Sequence, residues 1–227
     1  MYNEGQKTQR VVDRFPPGVV DEIVIVNDAS TDGSVEMLSG RPIKIITMPK
    51  RSGPGPAIRA GLDYGLKKGC EIFVIFAANG KDNPEEIPQL LKPILEGRAD
   101  FIQGSRYLEG GGWKHMPFHR IWGIKAFSFL FSFFMGRKIT DGTNGFRAFR
   151  RSLLEDSRIN LWQEWLEGYP LETYLFAQAI RLGYRVLEVP VTKTYPSDKK
   201  NYTKMKPLVD WWNYFKPAPY LALRLKK

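Results

Sequence analysis

Short apolar runs alternate with polar loops and helix-like stretches through the first half of the chain. Glu22 to Val26 (EIVIV) is a β-branched run stopped by Asn27, Asp28, Ser30, Thr31, Asp32 and Gly33, and a helix-like stretch opens at Ser34. Ile43 to Met48 reads as a second strand, Lys50 to Pro56 (KRSGPGP) as a loop and Ala57 to Lys68 as a helix. Glu71 to Phe76 (EIFVIF) is a third strand, and Pro84 to Glu96 is a helix with Pro84, Glu85 and Glu86 in its first turn. Ala99 to Gln103 is a fourth strand. Buried strands alternating with helices predict an α/β domain with a mostly parallel sheet covered on both faces.

Beyond Gly104 the pattern changes. Gly110, Gly111 and Gly112 form a loop, Phe118 to Met135 is a bulky aromatic segment, and Lys138 to Arg151 is polar and glycine-containing. Leu171 to Leu182 reads as a helix, and Arg185 to Val191 as a strand whose Pro190 suits an edge or a strand end. Residues 193–227 carry nine Lys or Arg against two Asp. The expected organisation is a domain over residues 1–192, which includes the aromatic helix 118–135, and a basic aromatic extension over 193–227.

A chain of 227 residues with 43% hydrophobic residues can bury one substantial core, so one globular unit is expected. The formal charge of +10 directs the molecule toward something anionic: nucleic acid, acidic lipid or phosphorylated substrate. A single cysteine, Cys70, excludes an internal disulfide framework and a cysteine-rich zinc site, and a reducing compartment is the natural reading. No secretory leader is expected, and no apolar run approaches the roughly 20 residues of a spanning helix. The nearest, Ala126 to Met135, is preceded by Arg120, Trp122 and Lys125 and fits a core helix or an interfacial one equally. Asp210 to Tyr220 (DWWNYFKPAPY) adds Trp and Tyr beside Lys, which suits a lipid boundary or a protein contact.

In open α/β sheets ligands bind beyond the carboxyl ends of strands, where these polar loops lie. Asp28 and Asp32 are placed to accept hydrogen bonds from a base or ribose; the competing reading of each is a helix cap. The glycine-rich RSGPGPA could approach a phosphate but fits neither the phosphate-binding loop with its Lys-Ser/Thr nor G-x-G-x-x-G.

Six segments in order resemble glycosyltransferase family 2, particularly its dolichol-phosphate mannose synthase-like, polyprenyl-phosphate branch. Tyr2-Asn3-Glu4 resembles an opening Y-N-E; EIVIVNDASTDGS resembles a strand with D-x-S-x-D-G-S; Gly53, Ala57 and Gly61 fit the next spacing. Gly104-Ser105-Arg106-Tyr107 resembles G-S-R-[FY], Asp141 to Arg147 (DGTNGFR) resembles D-x-T-S-G-F-R, and GYRVLEVPV with Tyr202 to Met205 is similar to G-x-x-[IV]-x-E-V-P and a following S-K-M. The resemblance implies a Rossmann-like GT-A fold. It also implies a donor site at Tyr2, Glu4, Asp28, Asp32, Gly53 and Arg106, with Arg147 and Lys204 facing phosphates. Asp141, Asn144, Trp162, Glu164 and Glu172 fall on the acceptor side.

Two departures matter. The family pattern has a full strand before Y-N-E, so a sheet without its first strand is expected. The second is at the metal motif D-x-D, where the chain reads Ala77-Ala78-Asn79-Gly80-Lys81-Asp82. Hard divalent cations prefer carboxylate oxygen, so a Mg or Mn site is weakened, with Asn79 and Asp82 its remaining candidates. Asn79, Lys81, Asp82, Arg147 and Lys204 are the expected catalytic set, and Lys81 is expected to take over part of the diphosphate neutralisation.

A hydroxyl acceptor needs a carboxylate base, whereas a phosphate is already anionic and needs cationic clamps. Arg147, Arg150, Arg151, Lys199, Lys200 and Lys204 favour phosphate, although Lys199 and Lys200 read equally as a solvated face. The expected activity is inverting transfer of a sugar from a GDP- or UDP-linked donor to a polyprenyl phosphate. The enzyme would be peripheral at the cytoplasmic face of a membrane, with no nucleic-acid partner. The alternatives are transfer to a glycan hydroxyl, with Glu164 or Glu172 as base, and a silent nucleotide-sugar binding protein.

Overall fold

The computed structural model describes residues 1–197 and 209–226. Helices α1 (Gly5–Val12), α2 (Pro54–Lys67) and α3 (Ile87–Leu95) alternate with strands β1 (Val24–Asn27), β2 (Lys44–Thr47), β3 (Ile72–Ile75) and β4 (Phe101–Ser105). Then follow β5 (Gly112–Lys114), α4 (Phe118–Met135), β6 (Arg147–Arg150), α5 (Ser152–Glu155), α6 (Pro170–Arg181), β7 (Val186–Pro190), β8 (Thr192–Thr194), α7 (Val209–Phe215) and α8 (Pro217–Ala222). The central sheet runs β3-β6-β4-β7, with β6 antiparallel to both neighbours and β7 parallel to β4. β1 pairs with β2 and β5 with β8, both in parallel.

Alternation along the central strands buries both sheet faces. Phe73, Phe149 and Phe101 stand in register on one face and stack with centroids 5.9 and 5.8 Å apart; Phe101 then stacks on Phe176 of α6, and Phe176 on Phe131 of α4. Each such contact adds about 1 kcal/mol beyond simple area burial. Ile102 and Ala148 face the other way, into a cluster with Ile87, Leu90 and Ile94 of α3. Tyr214, Ala218 and Leu221 of α7 and α8 are buried in the same core as α4 and α6.

Two stretches depart from expectation. The helix anticipated from Ser34 is a single 3-10 turn, Glu36–Leu38. Gly33 and Gly40 bracket it with φ of 72° and 78°, leaving no room for a second turn. Residues 147–150, inside a segment read as polar, form the middle strand β6. Its apolar content is only Ala148 and Phe149, and each is fully buried on an opposite face.

β1 and β3 face one another without pairing. Val24 and Ile25 on one side and Ile72 and Val74 on the other line a cleft, with cavities of about 670 and 490 Å³ toward its two faces. Met1 lies along the open side of β1, its amine donating to Val26 O at 2.6 Å and its carbonyl accepting from Asp28 N at 2.8 Å.

The start of α2 approaches the loop before α6 so closely that a Cβ on Gly55 would lie 2.7 Å from Leu166 O and Gly168 N. Backbone cannot yield as a side-chain tip can. Gly55→Ala is therefore expected to cost about 1–3 kcal/mol, read as a fall in the urea midpoint with an unchanged slope.

Candidate active site

The loop after β3 and the loop before β6 converge with β8 and the starts of α2 and α6 around the 490 Å³ cavity, whose wall includes Asn79, Thr143, Glu172, Lys193 and Tyr214. At its amino-terminal side, Asn3 is stitched to the loop after β1: its side chain accepts from Thr31 N at 2.9 Å and its backbone N–H donates to Ser30 Oγ at 3.0 Å. Tyr2 lies under the Arg51 guanidinium, 4.1 Å from ring centroid to carbon, a flat platform of the kind that takes a base. Asp28 accepts from Ser52 N at 2.7 Å and Gly53 N at 2.9 Å, closing the glycine-rich loop onto β1. Asp32 accepts from Ser34 N at 3.1 Å and from the Ser34 hydroxyl. Asp32 thus shows the local turn role, whereas Asp28 reaches across to the loop before α2.

The loop before β6 rests on a buried ion pair. Arg106 Nε and Nη2 donate to Asp141 at 2.6 and 2.8 Å, while Nη1 reaches Tyr195 Oη at 2.7 Å and Nη2 also reaches Thr143 Oγ1 at 2.7 Å. Burial alone would raise the Asp141 pKa, but the Arg106 guanidinium overrides it and holds the carboxyl below its ordinary range. Glu188, raised by burial, accepts from Thr140 N and Asp141 N and fixes the same loop from β7.

Arg147 does not project into the cleft. It is fully buried and donates to Asn144 O at 3.0 Å, to Tyr214 Oη at 3.0 Å and to Glu172 O. Arg106 is likewise committed to Asp141. Trp162 is exposed and Glu164 lies on a surface turn, neither on the cavity wall. Lys199, Lys200 and Lys204 lie outside the described residues. Glu172 is half-buried on the cavity wall, its carboxyl pushed up by desolvation against the opposing pull of Arg147 and Lys193.

Around the loop after β3 the positive charge comes from Lys81, expected there, and from Lys193 and Arg120, which the sequence places elsewhere. Lys193 of β8 sits 2.8 Å from the buried Asp82 and donates to Asn144 Oδ1 at 2.9 Å. Lys81 and Arg120 both lie over the Tyr195 ring, at 5.6 and 5.4 Å. Lys193 had been counted with a basic tail and Arg120 with an aromatic segment. The legible signal for Lys193 was its place in Thr192-Lys193-Thr194, an alternating run directly after EVPV.

Residues 1–158 match the family model for glycosyl transferase family 2. The chain is 35% identical over 200 residues to polyprenol monophosphomannose synthase of Mycolicibacterium smegmatis, covering 85% of this chain and 74% of that one. It is 29% identical over 197 residues to undecaprenyl-phosphate mannosyltransferase of Micrococcus luteus, covering 84% and 79%. In fold it is similar to glucosyl-3-phosphoglycerate synthase from Mycobacterium tuberculosis, solved with Mn2+, UDP and product, with TM-score 0.70 at 17% identity over 100% of this chain and 78% of the other. That likeness gives a GT-A architecture.

Two predictions follow from the charges. Asp141→Asn strands a buried guanidinium and is expected to cost about 3–5 kcal/mol of stability, measured by urea denaturation; an unchanged midpoint would refute the structural role of the pair. Burial first, then Lys193 and Arg120, lower the Lys81 pKa to about 8. Its positive charge is present below that pH and lost above it, so affinity for inorganic pyrophosphate should fall as pH rises from 7 to 9, by up to about tenfold per unit above the pKa. Lys81→Met should flatten that slope in calorimetric titrations.

Proposed function

The chain belongs to glycosyltransferase family 2 and is a glycosyltransferase, and from that premise we propose that it moves a sugar from a nucleotide diphosphate to a polyprenyl phosphate at a membrane surface. Both relatives described above carry polyprenyl-phosphate mannosyl transfer in their names, which supports this acceptor class. The observation that carries the reading is on α4. Arg120, part of the cation cluster around Tyr195, lies two residues from Phe118 and from Trp122 on the helix that carries an outward stripe of Phe118, Trp122, Phe129 and Phe133, exposed by 73%, 58%, 72% and 76%. A phosphate clamp and an apolar landing face thus share one helix, which is the combination a lipid phosphate needs.

No helix among the described residues is long and apolar enough to cross a membrane. In this reading the aromatic stripe docks on the membrane surface, with Lys125, Arg137 and Lys138 flanking it and matching the anionic inner, cytoplasmic leaflet. The acceptor phosphate oxygen attacks the anomeric carbon from the face opposite the leaving group. One C–O bond forms, the bond to the diphosphate breaks, and the nucleoside diphosphate leaves with the electron pair. No proton has to move, so no base is required.

Glu172 favours a second reading, because a half-buried carboxyl with a raised pKa on the cavity wall has the properties of a base for a hydroxyl acceptor. The experiment is transfer of label from GDP- and UDP-sugars in the presence of polyprenyl phosphate vesicles or of soluble glycans. Label in the organic extract is expected. Label in aqueous glycan would overturn the lipid acceptor, and label in neither would leave a binding protein. With a hydroxyl acceptor, Glu172→Gln should reduce turnover by about 10²- to 10⁴-fold; with a phosphate acceptor the loss is far smaller.

A further inference from the structure

We infer that the donor's diphosphate is held in this chain without a divalent cation, by the ammonium groups of Lys81 and Lys193, with Asp82 fixing Lys193 in place. The inference rests on the donor reading above and supplies its means of binding.

The residues present do not fit a metal. Mg or Mn takes a nearly complete shell of oxygen ligands, carboxylates foremost. Ala77 offers none, and Asn79 Oδ1 is taken by the Lys81 N–H at 3.1 Å. Asp82 is the remaining carboxylate of the loop, and its oxygen is 2.8 Å from the Lys193 ammonium. Among the described residues no three His, Cys, Asp or Glu side chains come together in a metal-binding group.

What occupies the place of a metal is a cation built into the chain. Lys193 lies on the cavity wall with Ala77 and Asn79, the two positions that correspond to the motif carboxylates. Its ammonium is held from two sides, by Asp82 and by Asn144 Oδ1 at 2.9 Å. The backbone reinforces this placement: Asp82 and Lys193 form an antiparallel bridge, and Thr194 N donates to Lys81 O at 2.9 Å. The loop after β3 is thereby tied to β8, and the two lysines meet side by side. Lys81, Lys193 and Arg120 gather against Asp82 and Glu4, which leaves a local excess of positive charge for an anion to meet. A diphosphate supplies that anion, and the charge that grows on it as the sugar departs is met by groups already in position.

The test is calorimetric titration of the full chain with GDP and UDP, in excess EDTA and in Mn. Equal affinity in the two conditions is expected for the nucleotide that binds. Lys81→Met should weaken that binding in EDTA by about ten- to a hundredfold, the worth of a charge-assisted contact. Because Lys193→Met alone strands buried Asp82, the companion variant is Lys193→Met with Asp82→Asn, its folding checked by its thermal transition; it should show a similar loss. Binding that appears only with Mn would overturn the inference and leave the donor reading standing, as would wild-type affinity in both variants. Absence of nucleotide binding in both conditions would overturn the donor reading, and this inference with it.

Discussion

The loop that leads into β6, and through it part of the cavity wall, depends on the Arg106–Asp141 ion pair. Its two side chains are 1% and 0% exposed, so both charges have left water completely. Such a pair offsets its desolvation only when every remaining donor is satisfied. Here Arg106 reaches Tyr195 and Thr143 in addition to Asp141, and Gln103 donates to Asp141 O and Asn144 O at 3.0 and 2.8 Å. The network clamps residues 140–146 over the end of β4. From that clamp a chain of contacts runs outward: Asn144 holds Lys193, and Lys193 holds Asp82. The ion pair thus contributes geometry to groups it does not touch.

Arginine and lysine divide their work accordingly. Arg106 and Arg147 have planar forks fully engaged by partners in the core, which suits a guanidinium that can make several directed bonds at once. Lys193, a compact charge on a flexible stem, stands on the cavity wall, with Lys81 in the neighbouring loop after β3. An anion entering the cleft therefore meets ammonium groups, while the guanidiniums beneath fix the loops that carry them. Arg120 differs from both, lying over the Tyr195 ring and belonging to the helix that carries the aromatic stripe.

Much of the first half was readable because its strands are uniformly apolar and end in turn formers, as in EIVIV followed by Asn27 to Gly33. The ordered loops were readable for the same reason, and so was the loss of both carboxylates at Ala77 and Asn79. β6 was not, since Arg147 and Arg150 mask a strand whose apolar burial comes from two residues. Nor was the fate of Arg147: a motif reports which residue is present, and only tertiary packing decides whether its charge faces a ligand or the carbonyl oxygens of its own core. Lys193 shows the converse. In sequence it begins a basic stretch with the look of solvated charge, and pairing of β8 with β5 brings it to the cavity.

The same argument explains why the sequence of α4 left two readings open. A helix apolar all round is normally enclosed on all sides. In α4, Ile124, Phe127 and Phe131 are buried against the core while Phe118, Trp122, Phe129 and Phe133 face outward, so the two readings describe opposite faces of one helix. The outward side chains recur at the spacing of a single helical face, too regular to be scattered surface residues. Trp211 presses on Gly123, where a Cβ would lie 2.1 Å from the indole, so α7 abuts this face and Trp211 and Trp212 extend its exposed aromatic surface. An apolar face on its own gives weak and unselective adhesion. Joined to the cation at Arg120, it favours a ligand that is apolar along its length and anionic at its head, which is the chemistry of a polyprenyl phosphate.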